Sequence, residues 1–234
     1  MLLTEAGYKE NKLARLFKAS HLKESLQEDR GGHITSSLYV AHLGPVEGFS
    51  GKVRPHIDPY EGLGANLVFL TDGAIWLAPL IQTHYPQATL ILDFYHLMSY
   101  IAQAAKAAFG TTDQGKQWIQ EQRECLLKSE LQTVLQAIQA LTIEAQLKDS
   151  IKAYLSKNAY RMHYQAYRQR GLFIGSGAIE SAPRTVVQKR LKRAGQRWTI
   201  KGAQWVLNLR VCQMSQRWNL VRKHIEPCQQ QSAA

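Results

Sequence analysis

The sequence predicts an α/β chain in which a sheet-bearing part is interrupted by a long all-helical stretch and resumes in a helical C-terminus. Three observations carry this. NLVFLTDGA and ATLILDFYH are short apolar runs, each closed by an aspartate. Residues 97–170 are rich in helix formers at 3.6-residue spacing, with little Gly or Pro. A basic segment and a long amphipathic segment follow. The expected divisions are 1–96, 97–170 and 171–225, with a disordered tail at 226–234.

GYKENKLARLF mixes apolar and basic positions, and a first strand is expected to begin at Met1. HITSSLYVAHLG alternates and is rich in β-formers, which predicts a strand or hairpin arm. GPVEGFSGKVRPHIDPYEGLG is dense in Gly and Pro and reads as loop, with room for a short helix. The runs ending at Asp72 and Asp93 have the length and boundaries of strands buried on both faces. IWLAPLIQTHY between them is long enough for one crossover helix. The result is a βαβ unit with both aspartates at the carboxyl ends of its strands, where sites of α/β sheets lie. LMSYIAQAAKAAF, QWIQEQRECLLKS, LQTVLQAIQALT and EAQLKDSIKAYLSKNAYRMHYQAYRQ then read as helices, as does a long segment around KGAQWVLNLRVCQMSQRWNLVRKHI.

Composition narrows the function classes. The chain has 234 residues and a formal net charge of +11, which favours polyanionic partners. Apolar runs stay short of the roughly 20 residues that cross a bilayer. Cys125, Cys212 and Cys228 form no CxxC pair, so neither a disulfide framework nor a zinc site is suggested. The expectation is a soluble, intracellular protein. Between Ser181 and Lys201 stand seven cations, Arg184, Lys189, Arg190, Lys192, Arg193, Arg197 and Lys201, and no acid, which points to nucleic acid. Trp198 and Trp205 are interleaved with them. These two and Trp118 are candidates to stack on an unpaired base, core filling being the plainer role.

One acid, Glu180, stands at the head of that basic run. With residues 180–197 as one helix, Val187 and Leu191 lie within about 20° of Glu180, and Lys189, Lys192 and Arg193 more than about 100° away. Glu180 then faces the core, where a carboxylate is costly unless it is paired or holds a metal. A helix N-terminal Glu after Ser176 as N-cap accounts for its place in the chain but not for that direction. Pro183 could shift the phase. Asp72 precedes a Gly that allows close approach, or is an ordinary turn aspartate. Asp93 is placed as an N-cap for FYHLMSYIAQ, and His96 as a core or capping histidine.

In order along the chain, TDGAIW, LILDFYH, GLFIGSGAIES and RLKRAGQRW resemble the bacterial insertion-sequence transposases of the ISKra type, which are similar to the Mutator-like group of DDE transposases. The resemblance runs from about Tyr8 to Arg222. It implies an RNase H-like core with a mixed sheet, interrupted by an all-helical insertion before the last catalytic carboxylate. It also implies three carboxylates that hold two Mg²⁺ (or Mn²⁺) ions for DNA cleavage and strand transfer. Asp72 matches the second carboxylate and Glu180 the third, and both would be metal ligands. Asp93 and His96 match the supporting D-x-x-H motif, and the seven cations would hold DNA. Hard carboxylate oxygens suit Mg²⁺. Partners would be transposon ends and target DNA, in a homodimer or larger synaptic assembly. The location would be cytoplasmic and nucleoid-associated.

The first catalytic Asp of the family has no counterpart here. The matching strand begins at Met1, Glu5 and Glu10 lie too far along, and Asp58 sits in the Pro-rich HIDPY stretch. The expectation is therefore a truncated frame that does not cut DNA efficiently by itself. The alternatives are a noncatalytic DNA-binding remnant or domesticated fragment, and an RNase H-like nuclease or resolvase without strand transfer.

Overall fold

The computed structural model describes residues 1–23, 33–175 and 183–223. The fold is mixed α/β, with small sheets. The chain divides into two compact units, one made of Met1–Leu63 with Gly177–Ala234 and the other of Gly64–Ser176.

The first unit opens with a hairpin of β1 (Leu2–Thr4) and β2 (Gly7–Lys9). Its turn needs the positive φ of Gly7 (82°), and the Thr4 hydroxyl donates to the Gly7 carbonyl at 2.7 Å. β3 (Asn11–Leu16) pairs antiparallel with β6 (Leu38–Leu43), from Asn11 opposite Leu43 to Leu16 opposite Leu38. β4 (Leu22–Lys23) and β5 (His33–Ile34) form a second short arm. The alternating HITSSLYVAHLG segment thus yields two strands rather than one.

The Gly/Pro-dense stretch is mostly helical. α1 spans Val46–Val53, a 3₁₀ turn Arg54–His56 and α2 Asp58–Gly62. Pro45 is the N-cap of α1, and Pro55 and Pro59 fall in the first turns of the next two pieces. A missing N–H costs nothing at such positions. Phe49 is buried and anchors the segment.

The C-terminal elements of this unit also depart from expectation. Pro183–Gln188 is a wide, π-helical turn, α9 spans only Lys189–Leu191, and α10 is Ile200–Met214. The basic helix therefore ends at Leu191 rather than at residue 197. Gly195 turns at φ 77°, and the Trp198 indole N–H donates to the Leu191 carbonyl at 3.2 Å, closing residues 192–197 into a loop. The wide turn shifts the phase, so Val186 is buried together with Val187 and Leu191. The expected long last helix breaks after Met214, where Gln216 adopts φ 57°, and helix resumes at 218–223.

α10 covers β6. Gln204 accepts from the Leu43 N–H at 2.8 Å and donates to the Ala41 carbonyl at 3.3 Å, and the Ser215 hydroxyl accepts from the Tyr39 N–H. Strand edges otherwise left open are satisfied by helix side chains. Leu2, Tyr39, Ala41, Leu43, Leu191, Ala203 and Leu207 form the core of this unit.

In the second unit β7 (Val68–Thr71) and β8 (Thr89–Leu92) are parallel, in register from Val68–Thr89 to Thr71–Leu92, and α3 (Leu77–His84) connects them. This is the βαβ unit that the two apolar runs predict. β8 is buried along most of its length, whereas β7 is only half-buried and Val68 is exposed. Four longer helices follow: α4 (Phe94–Phe109), α5 (Asp113–Leu127), α6 (Leu131–Ala140) and α7 (Ala145–Asn158). A 3₁₀ turn at Ala159–Arg161 separates α7 from α8 (Tyr164–Gln169). Ile91 and Leu92 share one core with Leu97, Ile101, Leu126, Ile138, Ile151, Leu155 and Tyr164, so the helices and the parallel pair bury each other. Trp118 packs against that core and against Phe109, the structural role for this indole. The 226–234 tail lies outside the described residues.

Candidate functional site

The carboxyl edge of the β7–β8 pair presents Asp72 and Asp93 one residue beyond the paired Thr71 and Leu92. The Asp93 N–H donates to the Thr71 carbonyl at 2.8 Å, which carries the ladder one step past the strands. Both chains then leave the sheet, and the two aspartates part in environment.

Asp72 is exposed. Its Oδ1 accepts from the Ala74 N–H at 3.2 Å, an Asx-type turn that aims the carboxylate outward. Gly73 holds φ 89° beneath Tyr154; a β-carbon there would come within 2.5 Å of the tyrosine oxygen and 3.2 Å of Leu92 Cδ1. Asp93 is buried, and its Oδ1 caps α4 by accepting from the His96 N–H at 2.9 Å. The N-cap role read from the sequence is therefore observed. His96 lies in an aromatic group with Tyr100 (5.6 Å) and Tyr154 (6.4 Å), and those two rings stack at 4.1 Å.

Sequence reasoning missed what holds this edge from behind. Tyr154, Asn158 and Arg161 form one row at the end of α7. The Tyr154 hydroxyl reaches the Asp72 carbonyl at 3.4 Å, and the Asn158 side-chain amide donates to the Tyr154 carbonyl at 2.8 Å. Arg161 is buried; its Nη1 donates to the Thr71 hydroxyl at 2.9 Å, and its Nε and Nη2 both donate to Asn158 Oδ1. Burial pushes the Tyr154 hydroxyl well above the usual tyrosine range, with Tyr100, Asp72 and Asp93 adding to the rise against the cation of Arg161. Tyr154 is therefore a neutral donor at any physiological pH. Tyr164, raised likewise by burial, donates to the Leu92 carbonyl at 3.1 Å. A signal was present in the sequence. Asn158 occupies the helical phase of the buried Ile151, where a polar residue needs a partner; Arg161 lies past the end of α7, in the 3₁₀ turn, and helical phase does not point to it.

Glu180 lies outside the described residues, as does the start of the basic run. Among the described residues no group of three or more His, Cys, Asp or Glu side chains comes together. The hard oxygen of Asp72 suits Mg²⁺, but one exposed carboxylate is not a site for two ions.

In the first unit, Lys189, Arg190, Lys192, Arg193, Arg197 and Lys201 are all exposed. The side chain of Arg184 is outside the described set. Lys189 and Arg190 lie on α9, Lys192, Arg193 and Arg197 on the loop that follows, and Lys201 on α10, over the exposed Trp205 ring at 5.0 Å. No ion pair among the described residues neutralises Lys192, Arg193 or Arg197.

These features define a mixed α/β protein with an exposed aspartate at the carboxyl end of a parallel pair and a separate cationic loop. Residues 60–224 match the uncharacterised protein family UPF0236, and since the match spans most of the chain, the protein belongs to that family. No curated protein and no solved structure matches it. Among the described residues, no helix is long and apolar enough to cross a membrane.

Proposed function

We propose that this chain is a DDE-type transposase similar to the ISKra-type enzymes of insertion sequences, with an RNase H-like core that binds, cuts and joins DNA. The observation that carries the reading is Asp72. It is an exposed carboxylate at the carboxyl end of a parallel strand, kept outward by its Asx turn and backed by Gly73 and Tyr154. The clustered, exposed cations of residues 189–201, which form no ion pair among the described residues, support DNA as the partner. Asp72 and Glu180 would hold the divalent ions, Mg²⁺ or Mn²⁺, which supply activation of the attacking oxygen when bound. Asp93 keeps α4, and with it His96, in place.

The first carboxylate of the family pattern has no counterpart in this chain, so the chain by itself is expected to bind DNA and not to cut it efficiently. That same feature favours a second reading, a noncatalytic DNA-binding protein of the same descent. Strand transfer to a target plasmid separates the two. In a variant with a strand carrying such an Asp added ahead of Met1, cleavage should appear and should be lost in both Asp72→Ala and Glu180→Ala. Cleavage that vanishes in Glu180→Ala but survives in Asp72→Ala would refute the role given to Asp72. Duplex binding should fall by about a thousandfold between roughly 50 and 200 mM salt if the six exposed cations all meet phosphates. A flat salt response would argue against DNA as the partner.

A further inference from the structure

The β1–β2 hairpin and the 192–197 loop enclose a cleft of about 510 Å³ in the first unit. One wall carries Leu3 and Tyr8, exposed at 36% and 70%, and the other carries Lys192, Arg193 and Arg197. The two walls are tied together. Thr4 bridges to Trp198, the Glu5 N–H donates to the Trp198 carbonyl at 2.9 Å, and the Trp198 indole holds the Leu191 carbonyl. Within the loop, Arg193 and Gln196 exchange hydrogen bonds, the Arg193 N–H to Gln196 Oε1 and the Gln196 N–H to the Arg193 carbonyl, each at 3.2 Å. The cleft is thus built on braced backbone, with an aromatic and an aliphatic side chain opposite three cations. Among the described residues, no carboxylate lines it.

We propose that this cleft binds an unpaired stretch of DNA, with one base stacked on Tyr8 and the adjoining phosphates on Lys192, Arg193 and Arg197. The inference rests on the reading of the chain as a DNA-binding protein and adds a strand state and a stacking residue to it. Three features select single-stranded DNA. The volume falls within the roughly 300–1,000 Å³ of small-ligand sites, too little for a duplex whose major groove alone is about 12 Å wide. A duplex buries its base faces in its own stack, so an exposed tyrosine beside an exposed leucine has nothing to meet there. Cations along a groove with an aromatic platform are the arrangement that tracks a single strand.

The test is fluorescence anisotropy with a labelled oligothymidylate and a labelled duplex of equal length, at about 50 mM salt. Tyr8→Ala should weaken single-strand binding by about 5- to 150-fold and leave duplex binding unchanged. Tyr8→Phe, which keeps the ring, should restore it. The triple variant Lys192→Gln, Arg193→Gln, Arg197→Gln should weaken both substrates. Tyr8 is exposed, so the two Tyr8 variants should keep the wild-type circular dichroism spectrum and melting curve. If the protein binds duplex but Tyr8→Ala leaves single-strand binding unchanged, or lowers both equally, the cleft assignment is overturned and the DNA-binding reading stands. If the wild type binds neither form, that reading itself falls.

Discussion

Gly73→Ala tests whether the Asp72 edge is held as described. An alanine at φ 89° pays roughly 1–2 kcal/mol for a left-handed backbone. Its β-carbon would stand 2.5 Å from the Tyr154 oxygen and 3.2 Å from Leu92 Cδ1, an overpacking of roughly 1–3 kcal/mol. Tyr154 relieves the clash by leaving the Asp72 carbonyl, which forfeits a hydrogen bond worth about 1 kcal/mol or less at 3.4 Å. The loss of unfolded-chain entropy returns about 0.4–1 kcal/mol. The expected net destabilisation is about 2–4 kcal/mol. Urea unfolding of the full chain measures it, and the fluorescence of Trp76 and Trp118 reports on the second unit. Tyr154→Phe removes the oxygen nearest the new methyl, so in that background Gly73→Ala should cost about 1 kcal/mol less. A cost below about 0.5 kcal/mol, or strict additivity with Tyr154→Phe, would refute the picture of a tyrosine clamped over the TDG turn.

Arg161→Ala leaves Asn158 Oδ1 and the Thr71 hydroxyl without their buried donor, and should destabilise by roughly 2–4 kcal/mol in the same urea titration. An unchanged midpoint would mean that Arg161 does not hold the strand end. Asp93→Ala should cost about 1 kcal/mol through loss of the α4 cap, while Asp93→Ser, which keeps an acceptor, should recover most of it. If Asp93→Ser restores stability but not cleavage in the extended protein, the carboxylate acts beyond its cap. Burial first, then Lys52 and Lys12, hold His42 below the ordinary histidine value of 6.5, against a hydrogen bond with Gln204, and its buried Nδ1 has no hydrogen-bond partner among the described residues. The unfolded chain therefore binds the proton more readily, and stability should fall as pH drops through and below about 6.5. His42→Gln should flatten that slope, and an unchanged profile would exclude His42 as its source.

Much of the site's frame was legible in the residues. A continuous apolar run closed by a turn signal has few ways to bury itself except as a strand in a covered parallel pair. The neighbouring ends of β7 and β8, with Asp72 and Asp93 on them, follow from two such runs and one helix between. The Asp93 cap is equally local, an aspartate three residues before the N–H it satisfies. The burial of Val187 and Leu191 and the exposure of the cations were legible as an apolar and a charged set, although only Lys189 of the three cations so placed lies on the helix.

Other features depended on contacts between residues far apart in the chain. Helical phase carried the basic helix to residue 197, but Trp198 folds back on the Leu191 carbonyl and onto Thr4 and ends it six residues earlier. Those ties turn three cations from a helix face into the wall of a cleft. Prolines that signal loop in the 44–64 stretch became helix starts once Phe49 found a core. Arg161 gained its role only when α7 came to rest behind β7, bringing a guanidinium to a threonine 90 residues away in the chain. Local propensity and periodicity depend on neighbours within a few residues, so they determined the strands, the helices and the charge. Which buried polar groups meet, and where a helix must stop to make room, was decided by packing across the whole unit.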